Sequence, residues 1–253
     1  MAANWMRRTI MVAACASAAL LAACGSSTTE SAISPQRFIA FGDAMNDVGQ
    51  NGSRYTVNDG SVNNWTLQVV ANYGKSLTPV SAGGLSYATG NARVSAKPDA
   101  AGNASTRTVT EQIDAFLASG SFAATDVVMV SGGVSDVIAG MAAVNAGTLT
   151  QDAMVAAARK AGEDLAAQVR RLVTAGAKYV VVTGTYDLSK TPWAKAIGRE
   201  ALLSNASSRF NEGLLVGIVD LGANVLYVDS AYYVNLYTCL LYTSDAADDS
   251  LRV

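Results

Sequence analysis

A chain of 253 residues, 50% hydrophobic and 15% charged, suits one α/β domain with a sizeable core. Its formal charge of −2 supplies no surplus of Lys and Arg for neutralising phosphates, which sets nucleic-acid binding aside. Only 7% of residues are aromatic while Gly reaches 22, so Ala, Val and Leu are expected to build the core between many tight turns.

Residues 1–23 read as a targeting segment. Arg7 and Arg8 precede the apolar run "TIMVAACASAALLAAC", which is short and Ala-rich for a spanning helix. The run ends in "LAAC", Leu21 to Cys24, and a polar Ser/Thr tract follows to about residue 36. That junction resembles a bacterial lipobox, which implies diacylation of Cys24, a flexible tether over 24–36 and anchoring at the cell envelope. An ordinary signal peptide with a chance Cys is the alternative reading. Of the three Cys, Cys15 lies in the signal segment, Cys24 is the lipidation position and Cys239 is near the C-terminus, so no disulfide framework is predicted.

From residue 37 strand and helix patterns alternate. "RFIAF" (37–41) is a short apolar run ending in Gly-Asp, and "DVVMVSGG" (126–133), "KYVVVTGT" (178–185) and "NVLYVD" (224–229) repeat the form. Helical periodicity places Met154, Ala158, Ala161, Leu165, Val169 and Leu172 on one face, with a stop at Gly176. A later helix is expected to bury Ala201, Leu202, Phe210, Leu214 and Ile218. Apolar strands that do not alternate, joined by amphipathic helices, predict an α/β fold: a three-layer α/β/α sandwich around a parallel sheet covered on both faces.

Ligands of such sheets sit beyond the carboxyl ends of the strands, so the residues after each run matter most. After the first strand comes "GDAMNDVGQNG" and after the second "GGVSD"; no phosphate-cradling glycine motif occurs, and no metal or cofactor site is predicted. Asp43 and Asp47, in the turn after a strand, are expected to accept main-chain N–H groups and to support the turn. Tyr232 and Tyr233 are expected to pack.

The elements "FGDAMNDVG", "LSYATGNARV" and "GVSD", in that order, resemble the GDSL, or SGNH, family of esterases and lipases. The resemblance runs from about Arg37 to Asp229, and a "TVTEQIDAFLASG" helix stands where the family has one. It implies a flavodoxin-like sandwich and acyl transfer by a Ser nucleophile with an Asp-oriented His, acting on a small ester, lipid or acylated glycan. It also implies an oxyanion hole made by main-chain N–H groups at Ala44 and Gly90 and a side-chain donor at Ser135.

Each element departs from the family's pattern. Ala44 stands where the nucleophilic Ser belongs, Asn91 takes one position of a Gly pair, and Ser135 replaces an Asn. No His occurs in the sequence. A one-base change converts Ser to Ala, but changes in all three elements together favour drift of the site over a sequence error. The last fifteen residues, "CLLYTSDAADDSLRV" (239–253), resemble a translated sequencing adapter, so the domain is read as 37–238 and as truncated before the family's Asp-x-x-His. The reading from sequence is therefore an ester hydrolase relative that is inactive as given; a binding-only envelope lipoprotein is the alternative.

Overall fold

A computed structural model describes residues 33–55 and 61–238. The signal segment, Cys24, most of the tether and the 239–253 tail lie outside the described residues. Chain contacts separate Met1–Ser34 from Pro35–Val253, and the fold belongs to the second unit.

The four apolar runs form the strands β1 (Phe38–Phe41), β2 (Val127–Ser131), β3 (Tyr179–Thr183) and β4 (Val225–Val228). All neighbours pair in parallel, in the order β1-β2-β3-β4. On the other side of β1, residues 85–87 run alongside through one bridge. Ala40 N–H donates to Leu85 O at 3.1 Å, and Tyr87 N–H to Ala40 O at 2.7 Å. The chain thus leaves β1 to one side and returns on the other as β2, which opens a crevice beyond the end of β1.

Six α-helices connect the strands among the described residues: α1 (Trp65–Asn72), α2 (Val109–Ser119), α3 (Val134–Asn145), α4 (Gln151–Thr174), α5 (Pro192–Ile197) and α6 (Glu200–Ile218). Their starts follow local chemistry. Thr108 and Glu111 close a capping box at α2, and the Thr150 hydroxyl accepts the Ala153 N–H at α4. The stop after α4 falls at Gly176, whose φ of +105° favours glycine.

Register puts Ile39, Val128 and Val180 on one face of the sheet, with Phe41, Val130 and Val182 one pleat further along. These six join the main core with Ile113 of α2, Val137 and Met141 of α3, Leu165 and Leu172 of α4, and Phe210 of α6. Truncating a fully buried Phe such as Phe210 costs about 3–5 kcal/mol. The predicted buried face of α4 is observed in full. That of α6 is shifted: Ala201 is exposed and Leu202 half-buried, while Leu203, Ala206, Phe210 and Leu214 are buried. The α4 crossing sets this face, since a Cβ at Gly162 of α4 would lie 2.0 Å from Phe210 O. The two backbones touch there, and α6 has no freedom to rotate.

The opposite face is covered unevenly. Phe38, Ala40, Val127 and Met129 are buried, with Tyr73, the C-cap of α1, against the Phe38 ring at 5.6 Å between centroids. Towards β4 the cover thins, and Leu226 is 61% exposed. Beyond β4, Asp229 accepts the Tyr232 N–H at 2.9 Å at the head of a helical segment over 230–238. Tyr232 and Tyr233, expected to pack, are instead 56% and 53% exposed, with their ring centroids 5.6 Å apart. No helix of the described residues is long and apolar enough to cross a membrane.

Candidate active site

The site is built on the turn that leaves β1. Gly42 has a φ of +139°, and a Cβ there would lie 2.3 Å from Ser131 Oγ, so no other residue fits without displacing β2. Its peptide groups are held from α2 by a buried carboxamide. Gly42 N–H donates to Gln112 Oε1 at 2.8 Å, and Gln112 Nε2 donates back to Gly42 O at 3.0 Å. A strand end that would otherwise lose its ladder partners is thereby satisfied.

Asp43 follows, fully buried. Its carbonyl accepts the Asn46 and Asp47 N–H groups, both at 3.1 Å, and its Oδ1 accepts Met45 N–H at 3.2 Å and Ser131 Oγ at 2.9 Å. Burial pushes the Asp43 carboxyl above its ordinary pKa, against the pull of the Ser131 and Met45 bonds. Its Oδ2 has no partner among the described residues. Ala44, next in the turn, is half-buried. Its side chain is a methyl group at the position that the resemblance gives to the nucleophile, and its N–H makes no hydrogen bond among the described residues.

Asp47 ties this turn to the second element. Oδ1 accepts the Gly49 and Gln50 N–H groups at 2.8 Å each, and Oδ2 accepts Gly90 N–H at 2.7 Å. The Gly90 N–H, expected in the oxyanion hole, is therefore occupied by a carboxylate. The neighbouring Asn91 N–H makes no hydrogen bond among the described residues. Asn91 itself has a φ of +64°, in the left-handed region that Asn tolerates better than other non-glycine residues. Its side-chain amide donates to the Tyr55 hydroxyl at 3.2 Å, and the Tyr55 ring lies where a Gly90 side chain would be.

The third element opens α3. Ser135 is buried in the first helical turn, and its hydroxyl makes no hydrogen bond among the described residues, so it is free to donate. Asp136 binds back to the second element: Oδ2 accepts Val94 N–H at 3.0 Å, and Oδ1 meets Arg93 Nε at 3.3 Å. Burial pushes the Asp136 carboxyl up to about 6, with the Val94 and Arg93 contacts working against it. Asp47 and Asp136 thus staple the middle element to both of its neighbours.

Sequence reasoning missed Gln112, Tyr55, Asn211 and Tyr186. Asn211 of α6 repeats the Gln112 device at the end of β3, accepting Thr185 N–H at 2.9 Å and donating to Thr185 O at 2.8 Å. Tyr186 stands near Asp43: burial raises its phenol pKa and the Asp43 charge adds to the effect. The available signal was polarity in the wrong place, since Gln112 lies between Val109, Ile113 and Phe116 on the buried stripe of α2. Among the described residues no group of three or more His, Cys, Asp or Glu could hold a metal ion.

Two unoccupied donors, Ala44 N–H and the Ser135 hydroxyl, stand on elements that meet at the crevice, with Asn91 N–H between them in chain order. Such a set can polarise and hold a carbonyl oxygen. Position 44 carries no hydroxyl, and the sequence contains no His. A search of curated proteins found no match. The family profile of GDSL-like Lipase/Acylhydrolase matches residues 38–250, reaching into the segment that the sequence reading sets apart. With the three elements assembled around one crevice and this match over most of its length, the chain belongs to the GDSL-like lipase/acylhydrolase family.

Proposed function

We propose that this protein carries an acyl-ester site of the GDSL hydrolase type that binds esters and, with Ala44 in the nucleophile position, does not turn them over. The observation that carries this reading is the intact frame around a missing atom. Asp47 and Asp136 hold the three elements together through Gly90 and Val94, while Ala44 offers only a methyl group. Loss of the nucleophile in a serine hydrolase costs about a millionfold in turnover, whereas main-chain donors survive it. The substrate class is a small ester, lipid or acylated glycan.

The same reading puts the domain at the bacterial cell envelope, held by acyl chains on Cys24. It is supported by the "LAAC" junction and the polar tract behind it. A clickable fatty acid should label the parent and not Cys24→Ser.

Hydrolysis of p-nitrophenyl acetate tests the site. The protein should show no turnover above a heat-denatured control. Turnover that a serine-directed phosphonate abolishes would overturn the reading and mean that another Ser acts as nucleophile.

A further inference from the structure

Among the described residues, most of the large apolar side chains left open stand at one margin of the sheet. Leu215, Val216 and Val219 occupy the last turn of α6 and its C-cap, and Leu226 lies on β4. Tyr232, Tyr233, Leu236 and Tyr237 form one stripe of the helical segment over 230–238. Val219 is 81% and Tyr237 68% exposed. The three elements adjoin, since Leu215 and Val216 line a groove with Tyr227 of β4 and with Ala231 and Asn235 of the helical segment. The charge beside Val219 is compensated, because Asp220 pairs with Arg170 at 2.6 Å.

Among the described residues β4 is also the end of the sheet. The Asn224 carbonyl accepts the Val180 N–H of β3 at 2.8 Å, so the alternate residues Val225 and Tyr227 turn their N–H and C=O groups the other way, where no described strand lies. An open strand edge beside apolar surface is a template for pairing with another chain. Its size decides what it can hold. At about 200 Å² for a fully open Tyr side chain and about 100 Å² for Val or Leu, the exposed fractions leave roughly 600 Å² of apolar surface at this margin. A standard interface buries about 800 Å² per partner, of which about 65% is apolar in homodimers. The margin therefore carries the apolar surface that one side of a stable dimer requires.

We infer that this margin is the interface of a two-fold dimer, with a second copy of this chain as its occupant. A two-fold axis perpendicular to the sheet runs β4 of one copy antiparallel to β4 of the other, so the outward groups of Val225 and Tyr227 find partners and the two sheets become one. Register places Leu226 beside Val181, on the face opposite Val180 and Val182, which pack with Phe210 and Leu214 of α6. In the dimer the ends of α6 from both copies meet on one face of the joined sheet, and the two Leu226 side chains meet on the other. The contact consumes the β4 edge of each copy, so association stops at two.

Sedimentation equilibrium of the full chain across a wide range of concentrations tests this. Val219→Lys and Leu226→Lys change the margin on its two faces, and Val62→Lys changes an exposed position outside it. All three replace exposed side chains, and melting curves confirm that the variants fold. The parent is expected to be a dimer. Each lysine at the margin should weaken it by about tenfold or more, since charges brought together and desolvated at a two-fold contact repel, while Val62→Lys should leave it unchanged. A monomer at every concentration, or a dimer that both margin lysines leave intact, would overturn the interface. Association that continues past two copies would overturn its two-fold closure.

Discussion

Asp47 Oδ2 accepts the Gly90 N–H at 2.7 Å, joining the turn after β1 to a loop 43 residues later in the chain. With Oδ1 taken by Gly49 and Gln50, one carboxylate satisfies three main-chain amides. The bond places Gly90 in the frame of the site and commits its N–H to a carboxylate. Removing the carboxylate should loosen both loops at once. Asp47→Ala leaves three amides without their acceptor, and charge-assisted bonds are worth about 1.5–3 kcal/mol each before water replaces them. We expect a loss of about 2–4 kcal/mol in urea unfolding. A change under 0.5 kcal/mol would mean that the Gly90 contact contributes little to holding the frame.

Gln112 gives a second outcome, separable from the first. Gln112→Leu keeps the apolar packing of α2 but leaves the buried Gly42 N–H without a partner, at about 1–3 kcal/mol, and takes one of two donors from the Gly42 carbonyl, which the Thr89 N–H still reaches at 3.0 Å. Gln112→Glu retains an acceptor for the N–H and loses the donor to the carbonyl. The Leu variant should therefore melt below the Glu variant near pH 5, where a buried carboxyl can hold its proton and donate in place of the amide. The opposite order would show that burying the carboxyl costs more than the clamp is worth.

The layout of the fold was legible in the sequence because its signals are local. Four apolar runs bounded by Gly and Asp became the four strands, and the period of α4 was strong enough to give its buried face without error. In α6 three consecutive apolar candidates, Ala201, Leu202 and Leu203, could not be ranked by hydropathy. Contact with α4 at Gly162 chose Leu203. The site divides along the same line. Its three elements are short motifs at strand ends and were found, whereas its working contacts join residues 36, 43 and 70 positions apart: Asn91 with Tyr55, Gly90 with Asp47, and Gly42 with Gln112. Nothing in a motif states which carboxylate will take which amide. That Asp47 takes the Gly90 N–H could not be read from the sequence for that reason.

Asp136 predicts a pH dependence with a definite sign. Its folded pKa, about 6, lies above the ordinary carboxylate value of 3.8, so the folded state holds this proton more tightly than the unfolded chain does. The associated stability is fully present below pH 4, is lost as the pH rises through 6, and stays lost above about 7. Asp136→Asn cannot titrate and keeps an acceptor for the Val94 N–H. Its stability relative to the parent should rise between pH 4 and 7, by on the order of 3 kcal/mol, and then level off. The Asp43 charge contributes to the Asp136 shift, so the difference reports the two carboxyls as a coupled pair. Parallel unfolding curves for the two proteins across this range would show that Asp136 titrates as an ordinary carboxylate.

Placing a hydroxyl at position 44 is the most direct probe of the proposed loss of turnover. A serine hydroxyl becomes a useful nucleophile only when a base removes its proton as it attacks, and in serine hydrolases nucleophile and base act as a unit. The chain carries no His, and its nearest carboxylates are committed: Asp43 to Ser131 and Met45, Asp47 to three amides, Asp136 to Val94 and Arg93. Ala44→Ser on this chain should therefore leave p-nitrophenyl acetate turnover within about tenfold of the parent, although the hydroxyl sits where the family's nucleophile does. Ester affinity should change little, because the donors at position 44, Asn91 and Ser135 remain. A rise of a thousandfold would require a base within reach of Ser at position 44. Asp43, whose buried carboxyl has one oxygen without a partner among the described residues, is the group to test next, by adding Asp43→Asn to the Ala44→Ser protein. Loss of the gained activity in that double variant, with folding intact by melting, would assign the base; retention would exclude Asp43 from the role.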